Sequence, residues 1–368
     1  MAKIDFSKRD SFGSRMGIIA AAAGSAIGLG NIWRFPYVAG ENGGAAFLII
    51  YITFIIVIGL PIMLSEFTIG RRAQRNAYGA FKILKPNQPW YLFGLICVGA
   101  AFMILSYYST IAGWTLEYLY QSIAKGFDGK SPHQLEGMFS EFQHSGTKPV
   151  VWQMIFMFFT GFIVFRGIKN GIEKYTRILM PLLLVLIIII CIRSVSLPGA
   201  TEGLTFLFYP DFSKITWDVA MLAISQAFFS ISVGVGIMLT YGSYLRRSNR
   251  MVNCGLWIIC LDTMVAFIAG LIIFPTLFTV PGMSPTQGPE LVFVVLPVVF
   301  SKIPLGALFG AFFFLCVVIA ALTSTISLLE VGVSYLVDFR KWSRVKASWL
   351  LGGVVALLGI PSVLSQGG

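Results

Sequence analysis

Ala23-Gly24-Ser25-Ala26-Ile27-Gly28-Leu29-Gly30-Asn31-Ile32-Trp33-Arg34-Phe35-Pro36 forms the centre of an apolar run over residues 16–38. The run is long enough to cross a bilayer, which takes roughly 20 apolar residues. Yet Gly24, Gly28, Gly30, Ser25 and Asn31 crowd its middle, a depth at which every backbone group must find a partner inside the protein. A second run, over 217–245, carries the same kind of insertion in Ser225-Gln226-Ala227-Phe228-Phe229-Ser230-Ile231-Ser232-Val233-Gly234-Val235-Gly236. Taken singly, either cluster fits close packing of small residues, as Gly24 and Gly28 do. Together, and with the amides of Asn31 and Gln226 needing partners in hydrocarbon, they mark interruptions at corresponding places in two halves of the chain. That is the pattern of an inverted-repeat transporter, in which half-helix N-termini suit an anionic group and freed carbonyls suit a cation.

The composition agrees. Of 368 residues, 57% are hydrophobic and only 12% charged, which excludes a soluble, a disordered or a disulfide-stapled secreted chain. Nine spans are predicted, at 16–38, 44–70, 90–124, 150–166, 175–193, 217–245, 252–276, 304–337 and 346–365. The N-terminus and the loops after spans 2, 4, 6 and 8 hold 20 of the 27 lysines and arginines, all on one side. By the positive-inside rule that side is the cytoplasm, so the protein sits in the cell's inner (plasma) membrane with its N-terminus cytoplasmic. The net charge of +11 is then a topology signal and calls for no nucleic-acid partner. The five cysteines lie in apolar stretches without metal-ligand spacing and read as small core residues, while His133 and His144 fall in a polar loop, away from any relay or metal site. No cleavable signal peptide is expected, and the chain stops at Ser365-Gln366-Gly367-Gly368, directly after an apolar run, as though further spans followed.

The string Gly28-Leu29-Gly30-Asn31-Ile32-Trp33-Arg34-Phe35-Pro36-Tyr37, followed by Glu41-Asn42-Gly43-Gly44-Ala45-Ala46-Phe47, closely resembles the first span and loop of the neurotransmitter:sodium symporter family, especially its bacterial amino-acid transporters. The resemblance continues through Glu66 with Gly70-Arg71, Tyr107-Tyr108, Gln226-Ala227-Phe228-Phe229-Ser230 and Ala320-Ala321-Leu322-Thr323-Ser324, and so covers essentially the whole chain. It implies an all-α membrane protein of LeuT-type fold, an inverted five-helix repeat with helices 1 and 6 discontinuous. Residues 1–193 would form the first repeat, 194–216 an extracellular loop and 217–368 the second repeat, incomplete after its ninth span.

The same resemblance implies two sodium sites, a substrate site and no organic cofactor. The first sodium would take the Ala26 carbonyl, the Asn31 amide oxygen, the Ser230 carbonyl or hydroxyl, Asp262 and the substrate carboxylate. Many relatives carry asparagine where this chain has Asp262, and chloride-dependent relatives place a serine where it has Ala266. Asp262 is therefore read as replacing the charge of chloride. The second sodium would take carbonyls of Gly24, Ile27 and Ala320 with the hydroxyls of Thr323 and Ser324, a neutral oxygen set suited to a monovalent hard cation. Hydroxyls on an apolar helix also bond back to their own backbone, which is the alternative for these two.

For the substrate, amides of Leu29 and Gly30 with the Tyr108 hydroxyl would hold a carboxylate, and carbonyls of Ala26, Phe229 and Ser232 an amine. Relatives that carry monoamines have aspartate at the position of Gly28; glycine here points to an α-amino acid that brings its own carboxylate. Ile104, Phe229, Val235 and Leu328 would form an apolar side-chain pocket for a large hydrophobic or aromatic residue. Arg34 resembles an extracellular gate, and Arg9 with Asp338 a cytoplasmic ion pair, with Phe12 where relatives place tryptophan. Glu66 is expected to accept bonds from amides freed by the break in span 1. Gly171 and Pro181 are either a plain proline kink or a motif that unwinds the inner end of span 5.

The function implied is a sodium-coupled, chloride-independent amino-acid symporter in the lipid bilayer, with a transport-inactive sensor or channel on the same fold as the alternative and the oligomeric state left open. A membrane enzyme finds no support: the sequence shows no nucleophile elbow, no buried His/Asp/Glu cluster and no intramembrane Cys/His pair.

Overall fold

The structure, a computed structural model, describes residues 10–246, 248–279 and 291–366. Seven uninterrupted helices among these residues are long and apolar enough to cross a bilayer: Ala45–Ala73, Tyr91–Ile123, Thr147–Phe165, Ile168–Val195, Met251–Phe278, Gly306–Arg340 and Arg344–Ser365. They are spans 2, 3, 4, 5, 7, 8 and 9. Span 1 is a bent pair, Arg15–Ala26 and Gly30–Glu41, meeting at 51°. Span 6 is Trp217–Ser230 and Ile237–Gly242, parted by residues 231–236. Seven of the nine predicted runs are thus continuous helices and the first is a bent pair, eight crossings by length and composition among the described residues; the sixth run is two shorter helices, and the two discontinuous runs are those marked by the glycine and hydroxyl clusters.

Local chemistry sets the helix ends. Ser14 starts span 1 by accepting the Gly17 N–H at 3.0 Å. The break in span 6 turns on left-handed backbone: Gly234 and Gly236 have φ of 84° and 77°, and Ser232, at 55°, takes the same region without being glycine. The connecting loops hold helices that hydropathy does not reveal, at Ala77–Leu84, Pro132–His144, Ala200–Phe208 and Leu296–Lys302. Pro132–His144 opens with a reciprocal Ser131/Gln134 capping box. Ala200–Phe208, within the stretch read as a loop, packs against span 7.

Span 8 is the pillar. Buried residues make up 78% of its apolar stretch, against 28% for span 2, and it touches spans 1, 3, 4, 5, 6 and 9. Spans 2 and 6 lie along each other, and their contact near the basic end is closed by glycine on both sides. A Cβ on Gly70 would overlap the Leu239 carbonyl and reach 2.8 Å from the Ser243 nitrogen, while one on Gly242 would lie 2.8 Å from Phe67 Cα. On the other flank, Glu330 of span 8 is fully buried, paired with Arg344 of span 9 and bonded by the Tyr244 hydroxyl at 2.6 Å. Of the cysteines, Cys97, Cys254 and Cys316 are buried as expected, but Cys260 is exposed on the outer face of span 7, where a small apolar side chain costs nothing against lipid.

The span 2–span 6 contact gives a direct test. Gly70→Ala is expected to cost about 1–3 kcal/mol through overpacking against fixed backbone. Thermal unfolding of the detergent-purified protein should show the lowered midpoint, whereas Gly99→Ala, whose added Cβ meets nothing within 4 Å, should not lower it.

Candidate functional site

The break in span 1 is held by side chains from other spans. Its inner half ends at Ala26, where the last carbonyls of any helix lack intrahelical donors. The Leu29 N–H, just beyond, donates to the Tyr108 hydroxyl of span 3 at 3.0 Å, and the Gly28 N–H donates to Asn31 Oδ1 at 3.1 Å. The Ser25 carbonyl accepts two hydroxyls, Ser232 of span 6 at 3.0 Å and Ser324 of span 8 at 3.2 Å. Gln226 Nε2 lies 3.4 Å from the Gly30 carbonyl, bringing the two broken spans together.

Beside the break lies a buried carboxylate. Asp262 is fully buried within span 7, Met251–Phe278, and not at a helix end. Ser230 Oγ stands 2.9 and 2.8 Å from its two oxygens, and Asn31 Nδ2 donates to it at 2.8 Å. Tyr51 of span 2 completes the group, 3.0 Å from Ser230 Oγ and 3.4 Å from Asp262 Oδ2. Asn31, Ser230 and Asp262 were singled out in the sequence; Tyr51 was not, although a tyrosine in the middle of an apolar run is a signal that its hydroxyl has a buried partner.

The second set of oxygens lies where spans 1, 5 and 8 meet. A Cβ on Gly24 would come 3.1 Å from Thr323 Cβ and 3.1 Å from Met180 Sδ, so the backbone of span 1 runs directly against span 8. Thr323 Oγ1 is 3.1 Å from both the Ile319 and Ala320 carbonyls of its own helix, the back-bonded arrangement, while Ser324 reaches across to span 1. Gly24 and Ser25 of span 1 thus meet Thr323 and Ser324 of span 8 at one junction, where the Ala320 carbonyl faces Thr323, and Ile27 is buried at the end of the same half-helix.

Between the two breaks is a chamber. Ala26, Gly28, Gly30, Ile104, Tyr108, Phe229, Ser230, Ser232, Val235 and Leu328 all line it, together with Ser25, Phe228, Val233 and Ile237, to which the sequence reading gave no place in the site. No lining residue is charged. Leu29 faces instead a second cavity on the outer side, with Trp33, Arg34 and Tyr107. Phe229 lines both, and Arg34 closes over it, its Cζ 5.2 Å from the ring centroid and its Nη1 2.6 Å from Gln226 Oε1. A Cβ at Gly28 would fall 2.6 Å from Ser324 Oγ and 2.9 Å from Tyr108 Oη, leaving no room there for an acidic side chain.

Two expectations need correction. Glu66 does not serve span 1: its carboxylate accepts the N–H groups of Gly234 at 2.6 Å and Leu239 at 3.1 Å, and so braces the break in span 6. The reason is packing, because span 2 lies along span 6 on this side. Of the two readings of Gly171 and Pro181, the unwound inner end of span 5 is the one that does not hold. Ile168–Glu173 forms a wide π turn that runs without interruption into Lys174–Val195, which contains Pro181. A π turn widens the helix without releasing it. Toward the basic end, Phe12 is 2% exposed and packs edge-on against Tyr241 and Tyr244. Asp338 accepts the Asn76 N–H and amide at 2.9 and 3.0 Å, and Arg9 lies outside the described residues.

A model of the sodium:neurotransmitter symporter family matches residues 9–132 and 132–368. An uncharacterized sodium-dependent transporter of Bacillus subtilis, YhdH, is 41% identical over 354 residues, covering 96% of this chain and 78% of its own. An uncharacterized sodium-dependent transporter of Haemophilus influenzae is 37% identical over 371 residues, covering 98% and 81%. Among solved structures, the crystal structure of MhsT in complex with L-phenylalanine superposes with a TM-score of 0.91 at 51% identity, over 98% of this chain and 81% of that one.

The corrected place of Glu66 makes a local prediction. Glu66→Ala removes the acceptor of the buried Leu239 N–H, at about 1–3 kcal/mol, and that of the exposed Gly234 N–H, which water can replace. Hydrogen exchange followed by mass spectrometry should show faster exchange in peptides spanning 231–240 and no change in span 3, with Glu66→Gln between the two; unchanged exchange would mean that the break is held by other groups.

Proposed function

This chain belongs to the sodium:neurotransmitter symporter family of sodium-dependent transporters, and from that premise we propose that it imports a hydrophobic or aromatic α-amino acid by sodium-coupled symport and alternating access, without needing chloride. The carrying observation is the chamber. It has broken-helix backbone and serine hydroxyls on one side, apolar side chains on the other, and no charged residue in its lining. A ligand held there must carry balanced charges of its own and a greasy side chain, which describes a neutral amino acid. Backbone N–H groups and the Tyr108 hydroxyl beside the outer half of span 1 suit its carboxylate, and the carbonyls of Ala26, Phe229 and Ser232 its amine. The complex of L-phenylalanine with MhsT supports the same class of side chain.

Sodium is the co-substrate. A hard monovalent cation seeks oxygen ligands, and both oxygen clusters supply them: Asn31, Ser230 and Asp262 with the Ala26 carbonyl at one, Gly24, Ile27, Ala320, Thr323 and Ser324 at the other. Asp262 gives the first a fixed negative charge. The hydroxyls of Tyr51 and Ser230 and the Asn31 amide already point at that carboxylate, so the donors that would otherwise hold an anion are engaged, and Ala266 offers no further one. The basic loops face the cytoplasm in this reading, and the substrate enters from the side of Arg34.

Uptake of radiolabelled phenylalanine, tryptophan and leucine into proteoliposomes is the decisive experiment. Replacing sodium by potassium should abolish accumulation, and replacing chloride by gluconate should leave it intact. Saturable binding without accumulation would identify a sensor instead. Asp262→Asn is expected to weaken sodium activation by about tenfold, equivalent to roughly 1.4 kcal/mol. Adding Ala266→Ser in that background should make uptake respond to chloride; indifference to chloride in the double variant would count against charge replacement.

A further inference from the structure

Two cavities at the basic end of the bundle, neither used by substrate or sodium in the reading above, meet at a single residue. The first is an open basin of about 730 Å³ between the starts of spans 1 and 5. Exposed Lys169, Lys174, Arg177 and Arg246 line it, and none of the four is in an ion pair among the described residues. The one acid in its lining, Glu173, is buried and engaged at the basin's edge, where it accepts the Gly13 N–H at 2.6 Å and the Ser14 hydroxyl at 2.7 Å, so four cations face one acid that neutral donors already hold. The second is a groove of about 600 Å³ along the outer face of spans 1, 5 and 7. Ile19, Met180, Pro181, Leu184 and Leu261 make its wall apolar, and Trp257, 53% exposed, stands at its side. Its charged lining residues are Arg15 and Arg177, and Arg177 lines the basin as well.

We propose that basin and groove form one site for an anionic phospholipid, with its phosphate among Lys174, Arg177 and their neighbours and an acyl chain along the groove. Each half alone admits other occupants, but the junction selects. A soluble anion would neutralise the basin and leave the groove to bulk lipid. A zwitterionic lipid would fill the groove and bring a cation of its own against four others. Only a molecule that is anionic at one end and apolar at the other matches both sides of Arg177, and basic clusters at a membrane surface draw anionic lipid in this way. Pro181 adds a detail: it has no N–H, so the Arg177 carbonyl one turn earlier loses its usual helical donor, leaving an acceptor beside the cations. A headgroup with a free hydroxyl, such as that of phosphatidylglycerol, suits that acceptor. A lipid seated there would bridge the inner half of span 1 to spans 5 and 7.

Lipid retention tests this independently of transport. The full chain is reconstituted in mixed phosphatidylglycerol and phosphatidylcholine, extracted, and its bound lipid counted by native mass spectrometry. The wild type should retain one phosphatidylglycerol in preference to phosphatidylcholine. Lys174→Gln with Arg177→Gln should reduce that preference by about tenfold, while Arg72→Gln with Lys85→Gln, equally exposed on another basic loop, should preserve it. Leu184→Trp, which fills the groove and keeps every charge, should also reduce retention. Absence of any preference in the wild type, or full retention in the Lys174/Arg177 variant, overturns the site. Displacement of the lipid by glycerol phosphate at equal concentration overturns it too, since it would show a simple anion site without use of the groove.

Discussion

A helix broken inside a bilayer releases backbone N–H and C=O groups where no water can take them, and this protein breaks two helices at the same depth. Everything near its centre is organised around that constraint. Tyr108, Asn31, Gln226, Ser232 and Ser324 serve the break in span 1, and Glu66 serves the break in span 6. These side chains come from spans 1, 2, 3, 6 and 8, so the breaks persist only because the surrounding helices are in place. The groups they leave over, chiefly carbonyls at the end of the inner half of span 1 and amides at the start of its outer half, are what make the centre a polar chamber in an otherwise apolar bundle.

Charge is handled with the same economy. A carboxylate inside the bundle is costly unless it is hydrogen-bonded, and each of the four buried ones, with the half-buried Glu66, closes a junction between spans. Asp262 joins spans 1, 2, 6 and 7; Glu66 joins 2 and 6; Glu330 joins 8 with Arg344 of span 9 and with Tyr244. Glu117 of span 3 accepts the Trp152 indole of span 4, and Glu173 of span 5 accepts the start of span 1. Four of the five acids are bound to neutral donors. A neutral donor can be exchanged for a cation or a moved backbone amide without leaving an opposite charge stranded, which suits the alternating access proposed above.

How much of this was legible in the sequence follows from what each feature depends on. The spans were, because bilayer thickness writes a length into the chain. The breaks were, because Gly24, Gly28, Gly234 and Gly236 with Asn31 and Gln226 contradict an apolar run. Asp262 was reached through the family resemblance, at a position where many relatives carry asparagine. Glu66 was visible as a residue and misassigned as a partner, since which helix span 2 lies against is decided by the Gly70 and Gly242 approach, a tertiary fact without local signature. Tyr51 was passed over because tyrosine is ordinary in apolar helices until a neighbour is seen, and Ser25, noted as a mark of the break, was given no partner for the same reason. The loop helices escaped because short amphipathic segments are governed by caps, as at Ser131, more than by hydropathy.

The Ser25 carbonyl shows how the proposed sites become one device. Two hydroxyls converge on that oxygen, from span 6 through Ser232 and from span 8 through Ser324. Ser324 belongs to the second oxygen cluster and Ser232 to the chamber, so a cation that drew the Ser324 oxygen to itself would alter what span 1 offers to span 6. Asn31 does the same on the other side of the break, with its oxygen on the Gly28 N–H and its nitrogen on Asp262. An ion on the Asn31 oxygen would compete with the Gly28 N–H beside the place assigned to the substrate, and one on the Ser324 oxygen would polarise the hydroxyl that the Ser25 carbonyl accepts. Linkage then works in both directions, because whatever free energy the ion contributes to ordering the chamber, the substrate must return as ion affinity. Coupling in this fold thus requires no long-range pathway; it needs only that two clusters share the acceptors and donors of one broken helix.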